Sequence, residues 1–264
     1  MASDFVRLTI EDGVATLLLD SAATRNALGG QEQYGAIETA IQQIEADKGT
    51  RAVIVTGAGP AFCGGGDIKR MLDRVNDAAV EPHDDRYAYK EGIHRIPRSL
   101  FNLEVPTIAA VNGPAIGAGL DLACMCDVRI ASETAKFAES FVTLGIIPGD
   151  GGAWLLQRAV GYAKAAELTF TGEVIDAAEA LRVGLVSRVV PPDALLPTAF
   201  ALARRIAANP PHALRMAKRL MREAQIARLE TVLELSAAYQ ALAHHSVDHR
   251  ERLTSAVERL GQKR

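Results

Sequence analysis

The chain has 264 residues, 48% of them hydrophobic, which is enough for one large core or for a core with an appendage. A formal net charge of −3, from 29 basic and 32 acidic residues, gives no electrostatic footprint for nucleic acid or an anionic membrane, although a local basic patch for a phosphorylated ligand is compatible with it. Cys63, Cys124 and Cys126 lie in apolar or Gly-rich settings without His or Cys partners at ligand spacing, so they read as reduced core thiols and no metal site is expected. No apolar run reaches the length of a membrane span and MASDFVRLTI carries no leader pattern, so the expected location is cytoplasmic.

Alternation at Phe5, Val6, Leu8 and Ile10, an Asp12-Gly13 turn and the run 14–19 predict a β-hairpin. After a loop at 21–30, Tyr34, Ile37, Ile41 and Ile44 recur at helical spacing, and 51–56 reads as the next strand. The segment 56–69, TGAGPAFCGGGDIK, then ends in a Gly-rich turn before a polar helix. Residues 71–92 are charged and poorly periodic and read as a loop or loosely packed helix, long enough to be a lid over a site. Helical spacing returns at Ile93, Ile96, Leu100 and Leu103, and Pro106 ends it before a strand at 107–111.

The stretch 111–127, VNGPAIGAGLDLACMCD, is the part the rest of the chain serves. Asn112-Gly113-Pro114 turns the backbone, Gly117-Ala118-Gly119 keeps it free of bulk, and an apolar helix begins at about Leu120. Such a turn leaves backbone N–H groups pointing outward, where the helix dipole also favours negative charge. The glycines alone would equally suit a tight strand-to-helix junction. Asp121, however, is an acid inside an apolar run, costly to bury unless a partner or a reaction requires it. Two amide donors from separate Gly-rich loops are what a developing enolate needs, each worth roughly 3–4 kcal/mol when it meets the charge.

A strand at 128–131 and a polar turn at 132–134 lead to AKFAESFVTLGIIPGDGG over 135–152 and a helix at 153–160. By position alone Asp150 reads as the N-cap of that helix. Helical segments at 163–168 and 175–180 and a short strand near 189–190 precede Pro191-Pro192. Helical spacing over 200–208, 213–222 and 229–244 divides the chain into a core, 1–194, and a helical region, 195–264. Lys218 and Arg219 read as surface charge, and His244, His245 and His249 as polar helix surface rather than a metal site.

AFCGGGD, NGPAIGAGLDLA…CD and FAES…LGIIPGDGG, in that order and spacing, resemble the enoyl-CoA hydratase/isomerase (crotonase) family over nearly the whole chain. The resemblance implies an α/β fold, a crotonase-like spiral of repeated β-β-α units, with C-terminal helices that build a homotrimer or hexamer. It implies an acyl-CoA substrate, with coenzyme A as part of that substrate and no other cofactor or metal. Gly66 and Ala118 stand at the family's oxyanion-hole positions. Arg25, Asn26, Ala27 and Leu28 resemble its RNAL segment, and with Gly66, Asp67, Ile68 and Lys69 are expected to hold the CoA moiety, Lys69 near a phosphate.

Asp121 stands where the hydratases carry their first glutamate, and Phe141, on the pocket wall, where they carry the second. Several isomerase members instead have a lone aspartate in the turn that here holds Asp150, one place earlier. Phe141 cannot move a proton and dries its side of the pocket, which favours isomerisation over hydration, with Asp121 as the central acid and Asp150 as a second. Thioester hydrolysis and ring-modifying acyl-CoA isomerisation use the same oxyanion chemistry and stay open. An RNA-binding relative is disfavoured by the acidic balance and the lack of a Lys/Arg-rich helix.

Overall fold

The computed structural model describes residues 5–261, so Met1–Asp4 of the N-terminal reading and the last three residues of the C-terminal helical region lie outside the described residues. β1 (Val6–Glu11) and β2 (Val14–Leu19) form the expected antiparallel hairpin, with Glu11 opposite Val14. Asp12 and Gly13 both take positive φ, 51° and 76°, as a two-residue type I′ turn requires. α1 (Gln31–Ala46) buries Ile37, Ala40, Ile41 and Ile44 along one stripe and returns the chain to β3 (Ala52–Gly57), parallel to β2.

The region read as a lid contains two helices, α2 (Ile68–Val75) and α3 (Pro82–Glu91). Neither buries a residue, which is why apolar periodicity did not mark them. Each carries a start signal instead: the Asp67 carboxylate accepts the Lys69 and Arg70 amides, and Glu81 and Asp84 form a capping box. A helical passage including a π-helical turn (Pro97–Phe101) then buries Ile93, Ile96, Leu100 and Leu103.

β4 (Thr107–Val111) is buried along its whole length, the signature of a parallel strand covered on both faces. β5 (Ala115–Ile116) and α4 (Ala118–Met125) follow, every residue of α4 being buried. β6 (Val128–Ser132), β7 (Lys136–Ala138), α5 (Gly152–Val160), α6 (Tyr162–Thr171), β8 (Ile175–Asp176), α7 (Ala177–Arg182) and β9 (Arg188–Val190) complete this half. The main sheet has the order β1-β2-β3-β4-β6-β9, parallel apart from the hairpin, and β5-β7-β8 form a second, small sheet.

α8 (Leu195–Ala207) covers the far face of the main sheet, where Leu195, Ala199 and Ala203 meet Val14, Ile54, Ile108 and Ile130. The helices continuing from it are α9 (Pro211–Glu223), α10 (Leu229–His244) and α11 (Val247–Gly261). One reading is corrected here. Lys218 is not surface charge but only 7% exposed, its amine donating to the Val105 carbonyl and pairing with Asp127, each at 2.7 Å. Burial depresses that amine to about 8 in spite of Asp127, and the side chain is committed to joining α9 to the sheet. Among the described residues no helix is long and apolar enough to cross a membrane.

Candidate active site

The site is built from main chain before any side chain. Arg25 and Asn26 take left-handed φ values of 54° and 57° after β2, which turns the wholly buried Asn26 amide inward. Its Nδ2 donates toward the carbonyls of Ala58, Ala61 and Phe62 at 3.0, 2.9 and 3.2 Å, and its Oδ1 accepts the Ser21 amide at 2.9 Å. The Leu28 amide donates to Gly65 and the Gly64 amide to Arg25, each at 2.8 Å. On the other side the Phe62 and Cys63 amides reach Pro114 and the Ile116 amide reaches Cys63, all at 3.1 Å. Three loops at the carboxyl ends of β2, β3 and β4 are thereby laced together, where open α/β sheets place their ligands.

This lacing brings the two Gly-rich motifs side by side. A Cβ on Gly119 would run into the Cys63 carbonyl, and Gly65 has φ +91°, its Cβ position lying 3.8 Å from the Ala118 nitrogen. Ala118 is the first residue of α4, so its N–H has no helical acceptor. Ala118 and Gly66 both line a cleft of about 530 Å³ whose wall also takes residues of α1, α2 and α3 together with Phe141 and Asp150.

Of the residues expected to hold substrate, Gly66, Ala118, Asp67, Phe141 and Asp150 line this cleft. Arg25, Ile68 and Lys69 are exposed beside it and Ala27 is half-buried, none of the four on its wall. Asp67 also caps α2. Tyr34 and Tyr89 escaped the sequence reading: Tyr34 passed as one more residue of an amphipathic stripe, and Tyr89 lay in the segment without a pattern. Both stand on the cleft wall, and burial first, then the nearby Asp150 charge, pushes the Tyr34 phenol up to about 12 and raises Tyr89 as well.

Asp150 is 6% exposed. Gly151, not Asp150, is the N-cap of α5, with no side-chain cap bond, so the aspartate is not engaged in capping. His94 Nε2 donates to the Gly149 carbonyl at 2.8 Å, and the Tyr89 ring packs so close to Gly149 that a Cβ there would stand 2.9 Å from Cε1. Burial raises the Asp150 carboxyl to about 6, with His94 pulling the other way.

Asp121 is placed differently. It is 0% exposed and absent from the cleft wall, and its Oδ2 accepts the Gly152 amide at 3.0 Å. Beside it lies Glu139, also 0% exposed, which the sequence reading did not single out. Its signal was there: an acid with Phe137 and Ala138 before it and Phe141 and Val142 after it, much the anomaly that marked Asp121.

Elsewhere, a cavity of about 390 Å³ between α4, α5 and α9 has walls tied to one another, with Arg158 over Trp154 at 3.7 Å and Arg222 over Phe101 at 3.8 Å and 2.9 Å from Asp127. Among the described residues no group of three or more His, Cys, Asp or Glu side chains could hold a metal, and His244 and His249 stack at 5.0 Å on the protein surface.

The family pattern described as Enoyl-CoA hydratase/isomerase matches residues 9–263. The chain belongs to the enoyl-CoA hydratase/isomerase family. It is 36% identical over 248 residues to the 1,2-epoxyphenylacetyl-CoA isomerase of Escherichia coli strain K12, covering 94% of this chain and 93% of that one. It is also 36% identical over 257 residues to the short-chain-enoyl-CoA hydratase of Clostridium acetobutylicum, covering 96% and 95%. The crystal structure of enoyl-CoA hydratase from Bacillus anthracis superposes with a TM-score of 0.89 at 34% identity, covering 97% of each chain. The architecture is therefore the crotonase fold, and the chain is an enzyme of the hydratase/isomerase family.

Proposed function

We propose that the enzyme moves a double bond within an acyl-CoA thioester, using Asp150 as a proton shuttle. The observation that carries this reading is that Asp150 is the one buried carboxyl on the cleft wall among the described residues, on the same cleft that Gly66 and Ala118 line. The Asp150 carboxylate takes a proton from a carbon next to the unsaturated system, and the electron pair moves into the thioester oxygen as an enolate held by the Gly66 and Ala118 amides. Collapse of the enolate then takes the proton back from Asp150 at the other end of the allylic system, which regenerates the carboxylate with no oxidant, reductant or water consumed. Asp121, the leading acid of the sequence reading, supports this from behind the wall through Gly152.

The resemblance and the cleft support the same substrate class, with the CoA moiety toward Arg25, Ala27 and the start of α2, and the acyl group toward Tyr34, Tyr89 and Phe141. No metal or redox group enters this reaction. In keeping with the family resemblance and the uncovered apolar C-terminal helices, the working form is a homotrimer or hexamer, in the cytoplasm. Hydration is the second reading, favoured by the relative named as a short-chain-enoyl-CoA hydratase. Mass spectrometry on a panel of enoyl-CoAs in heavy water separates the two. Isomerisation gives deuterium at carbon with the double bond moved and no water added, whereas a product heavier by one water overturns the proposal. Full activity in EDTA is expected, and a chelator-sensitive rate would remove the metal-free part of it.

A further inference from the structure

Asp121 and Glu139 reach the same point from different elements, α4 and the chain leaving β7, and meet over Gly152, where a Cβ would overlap one oxygen of each. Of their four carboxyl oxygens, Asp121 Oδ2 has the Gly152 amide as a donor. Asp121 Oδ1 and both Glu139 oxygens are buried without a hydrogen-bond partner. Two ionised carboxylates cannot be left in that state, because each would be desolvated, unsatisfied and beside a like charge. A proton on either one turns two opposed acceptors into a donor and an acceptor. The titratable groups facing the pair are Asp150, from the turn before α5, and the Cys124 thiol, one turn along α4; His94, Tyr34 and Tyr89 face Asp150 in turn.

We propose that Glu139 is a positioning residue: neutral beside a neutral Asp121, it hydrogen-bonds to it across Gly152, fixes the turn that carries Asp150, and keeps a second negative charge away from Asp150 while the enolate forms. This rests on the reading of Asp150 as the group that moves the proton. Burial, chiefly, pushes Glu139 up to about 8 and Asp121 well above the usual carboxylate range, so the pair holds its protons at the pH where Asp150, at about 6, has lost its own. Above about 8 the pair begins to ionise, a new anion appears behind the enolate, and turnover falls.

The test compares wild type with Glu139→Gln, a neutral side chain of the same shape. In wild type, kcat/KM falls on the alkaline side near pH 8. Glu139→Gln works close to the wild-type rate at pH 7 and lacks that alkaline fall, whereas Glu139→Ala, which empties the place, loses about tenfold to a hundredfold through a displaced Asp150. A folded Glu139→Gln enzyme with the alkaline fall unchanged overturns the proposal, as does one that has lost activity altogether, which would make Glu139 itself the proton carrier. Infrared spectra of the wild-type protein need no variant: a protonated-carboxyl band at pH 7 that weakens toward pH 9 is expected, and its absence at pH 7 overturns the proposal. If Asp150→Asn retained full activity the functional reading would fall, while the carboxyl band would still report on the pair alone.

Discussion

A buried carboxyl that faces a cleft and is raised only to about 6 is ionised at neutral pH yet close enough to neutrality to take a proton and give it back, and Asp150 is in that position. Asp150→Asn is therefore expected to lower kcat by about a hundredfold or more, the usual contribution of a general acid–base group, with the fold intact by circular dichroism. In wild type, kcat/KM should also fall on the acid side near pH 6 as Asp150 takes its proton. A flat acid limb would remove Asp150 from the chemistry. Glu139 makes a separate statement about stability. Its carboxyl ordinarily titrates at 4.5 and here does so at about 8, so between those values the folded protein holds a proton that the unfolded chain has released. Stability is greatest below that window and declines as pH rises through it, by at most about 1.4 kcal/mol per pH unit for this group. The melting temperature of wild type should then fall by roughly 3–5 °C per unit from pH 5 to 8 and flatten above, with a smaller slope in Glu139→Gln. A slope unchanged by the substitution would show that Glu139 is not the titrating group.

At the scale of elements, the start of α5 is the tightest junction in the site. Gly152 sits against the Asp121 and Glu139 carboxyls with its amide bonded to Asp121, and it follows Gly151 at φ +110°. Gly152→Ala raises helix propensity but inserts a methyl group where two carboxyls meet, and should still cost about 1–3 kcal/mol in urea denaturation, with activity falling as the Asp150 turn shifts. An unchanged midpoint would mean that the pair has room to part. The elements that sequence reading found are those whose signal is local. The hairpin shows its period of two and its Asp-Gly turn, α1 shows Ile37, Ile41 and Ile44, and β4 is apolar from Ile108 to Val111. α2 and α3 were blurred because helices that bury nothing carry no periodic stripe. Lys218 and Glu139 were misplaced or missed because their partners, Asp127 and Asp121, come near only through the fold, and a charged residue in isolation looks like surface. The Gly66 and Ala118 loops were legible as a pair because each needs glycine for a reason visible in sequence, whereas the division of labour between Asp121 and Asp150 depends on which one the cleft wall admits.

At the scale of the molecule, the C-terminal helices carry a surface that the chain itself does not cover. No residue of α10 or α11 is buried, although Leu229, Leu233 and Leu242 lie on the first and Val247, Leu253, Val257 and Leu260 on the second, each more than half exposed. Exposed apolar side chains on two successive helices are what an interface with a partner would cover. Further copies of the chain are the occupant that the family resemblance implies, and a ring of identical contacts that closes on itself accounts for a finite assembly. Light scattering at micromolar concentration should give three or six times the chain mass of 28.2 kDa. Leu253 and Val257 are four residues apart on α11 and so share a face. The double substitution Leu253→Glu, Val257→Glu should lower that mass by placing two charges in the interface, while leaving the far-UV spectrum of the core unchanged. Wild-type protein that scatters as a single chain would show that these helices are covered by something other than a copy of themselves.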